Sequence, residues 1–146
     1  MIAVDTNVLL AAHRRGAPAH DLANATIKEL VRGHSQWAIP WPCVHEFLAI
    51  ATHPRVFDPP STLDAALDQL EAWFEAPNAA LIGESSAHWS RLRELLRSGR
   101  VTGPRVHDAR IAAICLAHGV HELLTADRDF GRFPELRVRN PLVARR

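Results

Sequence analysis

The stretch Met1-Ile2-Ala3-Val4-Asp5-Thr6-Asn7-Val8-Leu9-Leu10 decides how the rest of the chain is read. An apolar run meets one carboxylate, then a hydroxyl and an amide, and apolar character resumes at Val8. This order describes a strand covered on both faces, which needs no polar alternation. It ends in an acid with a helix directly behind it. Ligands of open α/β sheets bind just beyond the carboxyl ends of the strands, so Asp5 stands where chemistry is done. Asp, Thr and Asn are also good N-cap residues, and alone Asp5 reads first as a cap.

Downstream, helical and extended stretches alternate. Asn7 to His13 reads as a helix, broken by Gly16-Ala17-Pro18. Pro18 can open a second helix, with Ala23, Ile27, Leu30 and Val31 on one stripe, ending at Gly33. Gln36 to Ile39 is a strand, and Pro40-Trp41-Pro42 leads into a helix from Cys43 to about Thr52. Ser61-Thr62-Leu63-Asp64 has capping-box form ahead of an amphipathic helix. Ala79 to Ile82 is a strand, Ser85 to Ser98 a helix, and Gly103-Pro104 precedes a helix to Ala117 or His118. Val120 to Thr125 and Leu136 to Arg139 are the last strands. This alternation predicts an α/β/α sandwich, a mostly parallel sheet of four to five strands flanked by helices, as a single domain over 1–146. The tail over 141–146 is expected to fray.

Composition narrows the class. The 146 residues are 47% hydrophobic and 23% charged with a formal net charge of +1, so no global basic field announces nucleic acid. Lys28 is the only lysine among 17 basic residues. Arginine is the better bidentate partner for phosphate, although GC-rich coding explains most of the bias. Cys43 and Cys115 lie far apart with no CxxC spacing, as in a reduced, cytoplasmic protein with buried thiols. Asp5 interrupts the first apolar run too early for a secretory signal. No apolar run approaches the ~20 residues that span a bilayer, so no membrane association is expected.

Four acids interrupt otherwise apolar elements. Asp5 ends the first strand, Glu46 sits within Val44-His45-Glu46-Phe47-Leu48, and Asp127 follows Leu123-Leu124-Thr125-Ala126. Asp108 shares a helical face with Ile111, Ala112 and Cys115. That face points at the sheet, and an isolated buried carboxylate is costly unless paired or metal-bound. Carboxylates gathered at one sheet edge repel one another. A divalent cation resolves this, and all-oxygen donors favour Mg²⁺ or Mn²⁺ over Zn²⁺.

In this order and spacing, Asp5-Thr6-Asn7, Glu46, Asp108-Ala109-Arg110-Ile111-Ala112-Ala113 and Thr125-Ala126-Asp127-Arg128-Asp129-Phe130 resemble the signature of PIN domains. Pro54-Arg55-Val56-Phe57 and the closing Leu136 to Leu142 are similar to the VapC-type toxins of bacterial toxin–antitoxin pairs. The resemblance implies an Mg²⁺- or Mn²⁺-dependent endoribonuclease that leaves 5′-phosphate and 3′-hydroxyl ends. It implies Asp5, Glu46, Asp108 and Asp127 as the catalytic and metal-holding carboxylates, with Asp129 at a position that varies. It also implies a VapB-type antitoxin as partner, an RNA substrate (tRNA is common in the family) and a homodimer. Thr6, Asn7 and Thr125 are candidates to orient carboxylates by hydrogen bonds. Arg14, Arg15, Arg100, Arg105, His107, Arg110 and Arg128 are candidates for a phosphate-binding rim. A competing reading makes the acid pocket mainly a docking site for a partner's tail, with Trp41, Trp73 and Trp89 lining grooves. A phosphoryl-transfer or receiver domain fits less well, because Asp5-Thr6-Asn7 lacks an Asp-x-Asp pair and Lys28 lies early in a helix.

Overall fold

The computed structural model describes residues 1–145. Five parallel strands form one sheet in the order β3-β2-β1-β4-β5: β1 Ile2–Val4, β2 Trp37–Pro40, β3 Ala79–Ile82, β4 Glu122–Leu124 and β5 Arg137–Arg139. Six α-helices flank it: α1 Thr6–His13, α2 His20–Arg32, α3 Trp41–Ala51, α4 Leu63–Phe74, α5 His88–Ser98 and α6 Val106–Ala117. The expected α/β/α sandwich is therefore present. Helix α1 packs on α2 and α3, α3 packs on α4, and α5 packs on α6.

The strand order positions the site. The chain starts at the centre of the sheet, builds outward through β2 and β3, and returns to the other side of β1 for β4 and β5. The carboxyl ends of β1 and β4 thus lead apart at a topological switch point, where a crevice opens. Their register pairs Val4 with Leu124. Asp5 and Thr125 are the next residues on each strand, and the Asp5 N–H donates to the Leu124 carbonyl at 3.0 Å.

Both faces of β1 are covered, as its unbroken apolar run requires. Ala3, Val4, Val8, Leu9, Trp37, Phe47, Ile114 and Leu123 are buried in one continuous core. The Trp37 indole donates to Asn78 Oδ1, and Asn78 Nδ2 donates to the carbonyls of Leu30, Gly33 and Ser35, tying the end of α2 to the sheet. Trp73 belongs to this core, whereas Trp41 and Trp89 are exposed. No helix among the described residues is long and apolar enough to cross a membrane.

Element boundaries moved where a side chain took over from the pattern. Pro18 lies in a turn, and α2 opens two residues later at His20. The segment after Asp127 winds into a 3₁₀ turn over Arg128–Arg132 that buries Phe130. The tail is held further than expected: Pro141 is buried and Leu142 packs against the core, while Arg146 lies outside the described residues. Glu122 is a buried acid outside the cluster. It sits at the start of β4, at the sheet edge away from Asp5, paired with Arg137 at 3.2 Å and Arg139 at 2.9 Å. Parallel pairing sets Glu122 beside Arg137 and Leu124 beside Arg139, so both guanidinium groups reach back to one carboxylate.

Candidate active site

Asp5 is 5% exposed and its carboxylate is saturated with donors. Oδ1 accepts from the Thr6 N–H at 2.8 Å and from the Cys43 thiol at 3.4 Å. Oδ2 accepts from the Thr125 hydroxyl at 2.7 Å and from Asn7 Nδ2 at 3.2 Å. Asp5 is also the N-cap of α1, so of the three capping candidates Asp5, Thr6 and Asn7 it is Asp5 that caps the helix. The physical reason is local: with extended backbone at Asp5, its own carboxylate is the nearest acceptor for the first free N–H of the helix. Burial pushes its pKa up, and the hydrogen bonds from Thr125, Thr6 and Cys43 oppose that rise.

Thr125 joins the two strand ends. Its hydroxyl donates to Asp5 and accepts from Asn7 Nδ2 and the Asp127 N–H, both at 3.0 Å. Asn7 completes the link by accepting from the Ala126 N–H at 3.0 Å. Thr125 and Asn7 therefore hold the Asp5 carboxylate in place and tie it to the backbone of Ala126 and Asp127. Thr6 acts only through its backbone; its hydroxyl is buried without a partner among the described residues. Thr125→Val keeps the shape and deletes the hydroxyl, leaving buried groups unmatched. It is expected to cost about 1–3 kcal/mol of stability in urea unfolding, with Thr125→Ser losing clearly less.

The tightest gathering of acids is Asp108, Asp127 and Asp129, each offering an oxygen within 4.8 Å of the others. Asp108 comes from the first turn of α6, and Asp127 caps the 3₁₀ turn by accepting from the Asp129 N–H at 2.8 Å. That turn is what swings Asp129 inward. Burial, then the charges of Asp127, Asp5, Asp129 and Glu46, push Asp108 up to about 6. Glu46 stands on the exposed side of α3 outside this trio. Its pKa is raised by burial and by Asp5, with the charge of His107 opposing.

The basic candidates separate. Arg105 lies 3.6 Å from Asp129 Oδ2, at the lip of the cluster. Arg110 is held by Glu84, and His107 is exposed beside Asp108. Arg128 is exposed next to Asp127, and Arg100 is exposed just past α5 with φ +49°. Arg14 is occupied elsewhere, at the far end of α1 from Asp5: it donates to the Pro59 carbonyl and Ser61 Oγ and lies 3.8 Å over the Phe57 ring. Arg15 is exposed on the turn that follows. Sequence reasoning missed Cys43 as a contact of Asp5. The available signal was its place three residues before Glu46, on the same helical face. Burial and the charge of Asp5 push the Cys43 thiol well above its ordinary pKa, so it remains a donor.

The fold and this acid arrangement match known proteins. A family model for the PIN domain covers residues 2–136. The chain belongs to the PIN-domain family. Within that family it is 33% identical over 143 residues to Ribonuclease VapC31 of Mycobacterium tuberculosis, covering 97% of this chain and all of that one. It is 28% identical to Ribonuclease VapC48 of the same organism over 94% of each chain. This PIN domain is thus a member of the VapC ribonucleases, the group to which its sequence motifs pointed. Its fold is also similar to that of a chain in the VapBC2 complex of Rickettsia felis bound to a promoter DNA fragment, with a TM-score of 0.68, 20% identity and coverage of 96% and 98%.

Proposed function

We propose that this PIN domain is a divalent-metal-dependent endoribonuclease, the toxin of a toxin–antitoxin pair restrained by a VapB-type antitoxin. The observation that carries the reading is the convergence of Asp108, Asp127 and Asp129 within 4.8 Å, beside the buried Asp5. The donor set fits a hard cation: the trio supplies only carboxylate oxygens, which suit Mg²⁺ or Mn²⁺. Burial raises Asp108 most, and the charges of Asp127, Asp5, Asp129 and Glu46 add to it, repulsion that a cation would relieve. Asp108, Asp127 and Asp129 would hold the ion, with Asp5 behind them and Glu46 completing the ring from α3. When bound, the ion lowers the pKa of a water and stabilises the leaving oxygen of a phosphodiester.

The chain's own groups do the rest. Thr125 and Asn7 fix the Asp5 carboxylate, and Thr125 also holds the Asp127 backbone N–H, so little is left to reorganise on binding. Arg105, already at the lip, and Arg128 are placed to draw RNA phosphates toward the cluster. The antitoxin partner is supported by membership among the VapC ribonucleases, and a homodimer is the unit it would engage. Purified protein incubated with RNA should cleave it with Mg²⁺ or Mn²⁺ and not with EDTA. A co-expressed VapB-type partner should co-purify and suppress the cleavage. Cleavage that persists in EDTA refutes the metal-dependent reading.

A further inference from the structure

Beside the acid cluster, α3 and α6 enclose a groove of about 310 Å³. Glu46 lines it, so the groove is continuous with the acid ring. One wall carries His45 and Ala49 from α3; the other carries His107, Arg110 and Ile111 from α6. The walls are chemically mixed in a particular way. Ala49 and Ile111 offer apolar surface, while His45 offers a flat ring. Trp41, one helical turn before His45, backs that ring with centroids 6.1 Å apart and planes inclined by 33°. Trp41 is itself braced by Phe74 at 6.5 Å. Arg110 is anchored through Nε to Glu84, which orients its guanidinium.

From this arrangement we infer that the α3–α6 groove is a nucleobase subsite: an unpaired base of the RNA next to the cleaved bond stacks on His45, and Arg110 and His107 face the adjoining phosphate. Three features of the groove choose this occupant. Its aromatic platform is sequence-tolerant, because every base has a π-face. The guanidinium of Arg110, which meets Glu84 through Nε, complements phosphate. Its mouth opens on Glu46, where the backbone must pass to reach the acids. A base still paired in a helix cannot enter a side slot, so the subsite selects single-stranded or looped RNA. The inference rests on the ribonuclease reading for the identity of the ligand, yet it makes a separate claim about binding.

The test uses the full chain carrying Asp108→Asn, so that RNA is bound without being cut. Anisotropy titrations employ a short single-stranded RNA of mixed sequence and a duplex of equal length. Adding His45→Ala should weaken single-strand binding roughly tenfold, within the range for losing one base–aromatic stack, and His45→Phe should weaken it less. Ala49→Leu, which fills the groove from an exposed helix position, should also weaken it. Duplex binding should change less than twofold in each case. The subsite is overturned if His45→Ala and Ala49→Leu both leave single-strand affinity within twofold, if duplex binding falls equally, or if the protein binds no RNA. A protein that binds as expected while the parent fails to cleave with Mg²⁺ or Mn²⁺ keeps the subsite and refutes the ribonuclease reading instead.

Discussion

Asp108→Asn is expected to lower RNA cleavage by about 10³-fold while leaving the fold intact. The size follows from what a held divalent ion contributes, several kcal/mol of charge stabilisation, with each ~1.4 kcal/mol worth a factor of ten in rate. Asp108 is the member of the trio that comes from a helix rather than from the 3₁₀ turn shared by Asp127 and Asp129. Its loss removes the only trio ligand on the α6 side, and the remaining two cannot enclose an ion between elements. The side chain is only partly buried, and Asn matches its shape, so packing is undisturbed. Removing one of several mutually repelling charges should in addition raise the melting temperature of the ion-free protein. Activity down and stability up is the signature of a site kept at a cost to the fold. Cleavage within tenfold of the parent, measured in Mn²⁺ with the same RNA, excludes Asp108 from the reacting centre.

What could be read from the sequence follows from how local each cause is. Five strands and six helices were legible because apolar periodicity and Pro or Gly punctuation are local signals. Asp5, Asp108 and Asp127 were legible because each interrupts an apolar element, and an acid there needs a partner. Asp129 was harder: whether it joins the cluster depends on the 3₁₀ turn, and that turn depends on Phe130 finding the core. Glu46 illustrates the opposite case. Its apolar neighbours Val44 and Phe47 are buried, yet the residue itself is exposed where it lines the α3–α6 groove. That Arg14 points away from the acid cluster could not be read from the sequence, since its partners, Phe57, Pro59 and Ser61, lie more than forty residues away. The pairing of Glu122 with Arg137 and Arg139 likewise depends on strand register.

The second large effect concerns pH and metal together. In the ion-free protein Asp5, Glu46 and Asp108 all hold protons more tightly than in the unfolded chain, Asp108 up to about 6. Between the ordinary carboxylate range and about pH 6, the native state therefore binds more protons than the unfolded state. Stability must fall as pH rises through that window and regain nothing above it. In EDTA the melting temperature is thus expected to be higher near pH 5 than near pH 7.5, apart from any other titrating groups. A divalent ion held as proposed would oppose this trend, because it would bind only the native, deprotonated cluster. At an ion concentration of about 100 times its dissociation constant the stabilisation is roughly 2.7 kcal/mol, which for a domain of this size raises the melting temperature by on the order of 10 °C. The rise should be full at pH 7.5 and nearly absent at pH 5, where protons occupy the same oxygens. Asp108→Asn should reduce the EDTA-state slope, leaving the part that Asp5 and Glu46 contribute, and remove most of the ion-dependent rise. A melting temperature that responds equally to Mn²⁺ at both pH values would mean that the ion binds elsewhere, because only competition between protons and metal at the acid cluster ties the two effects to one set of carboxylates.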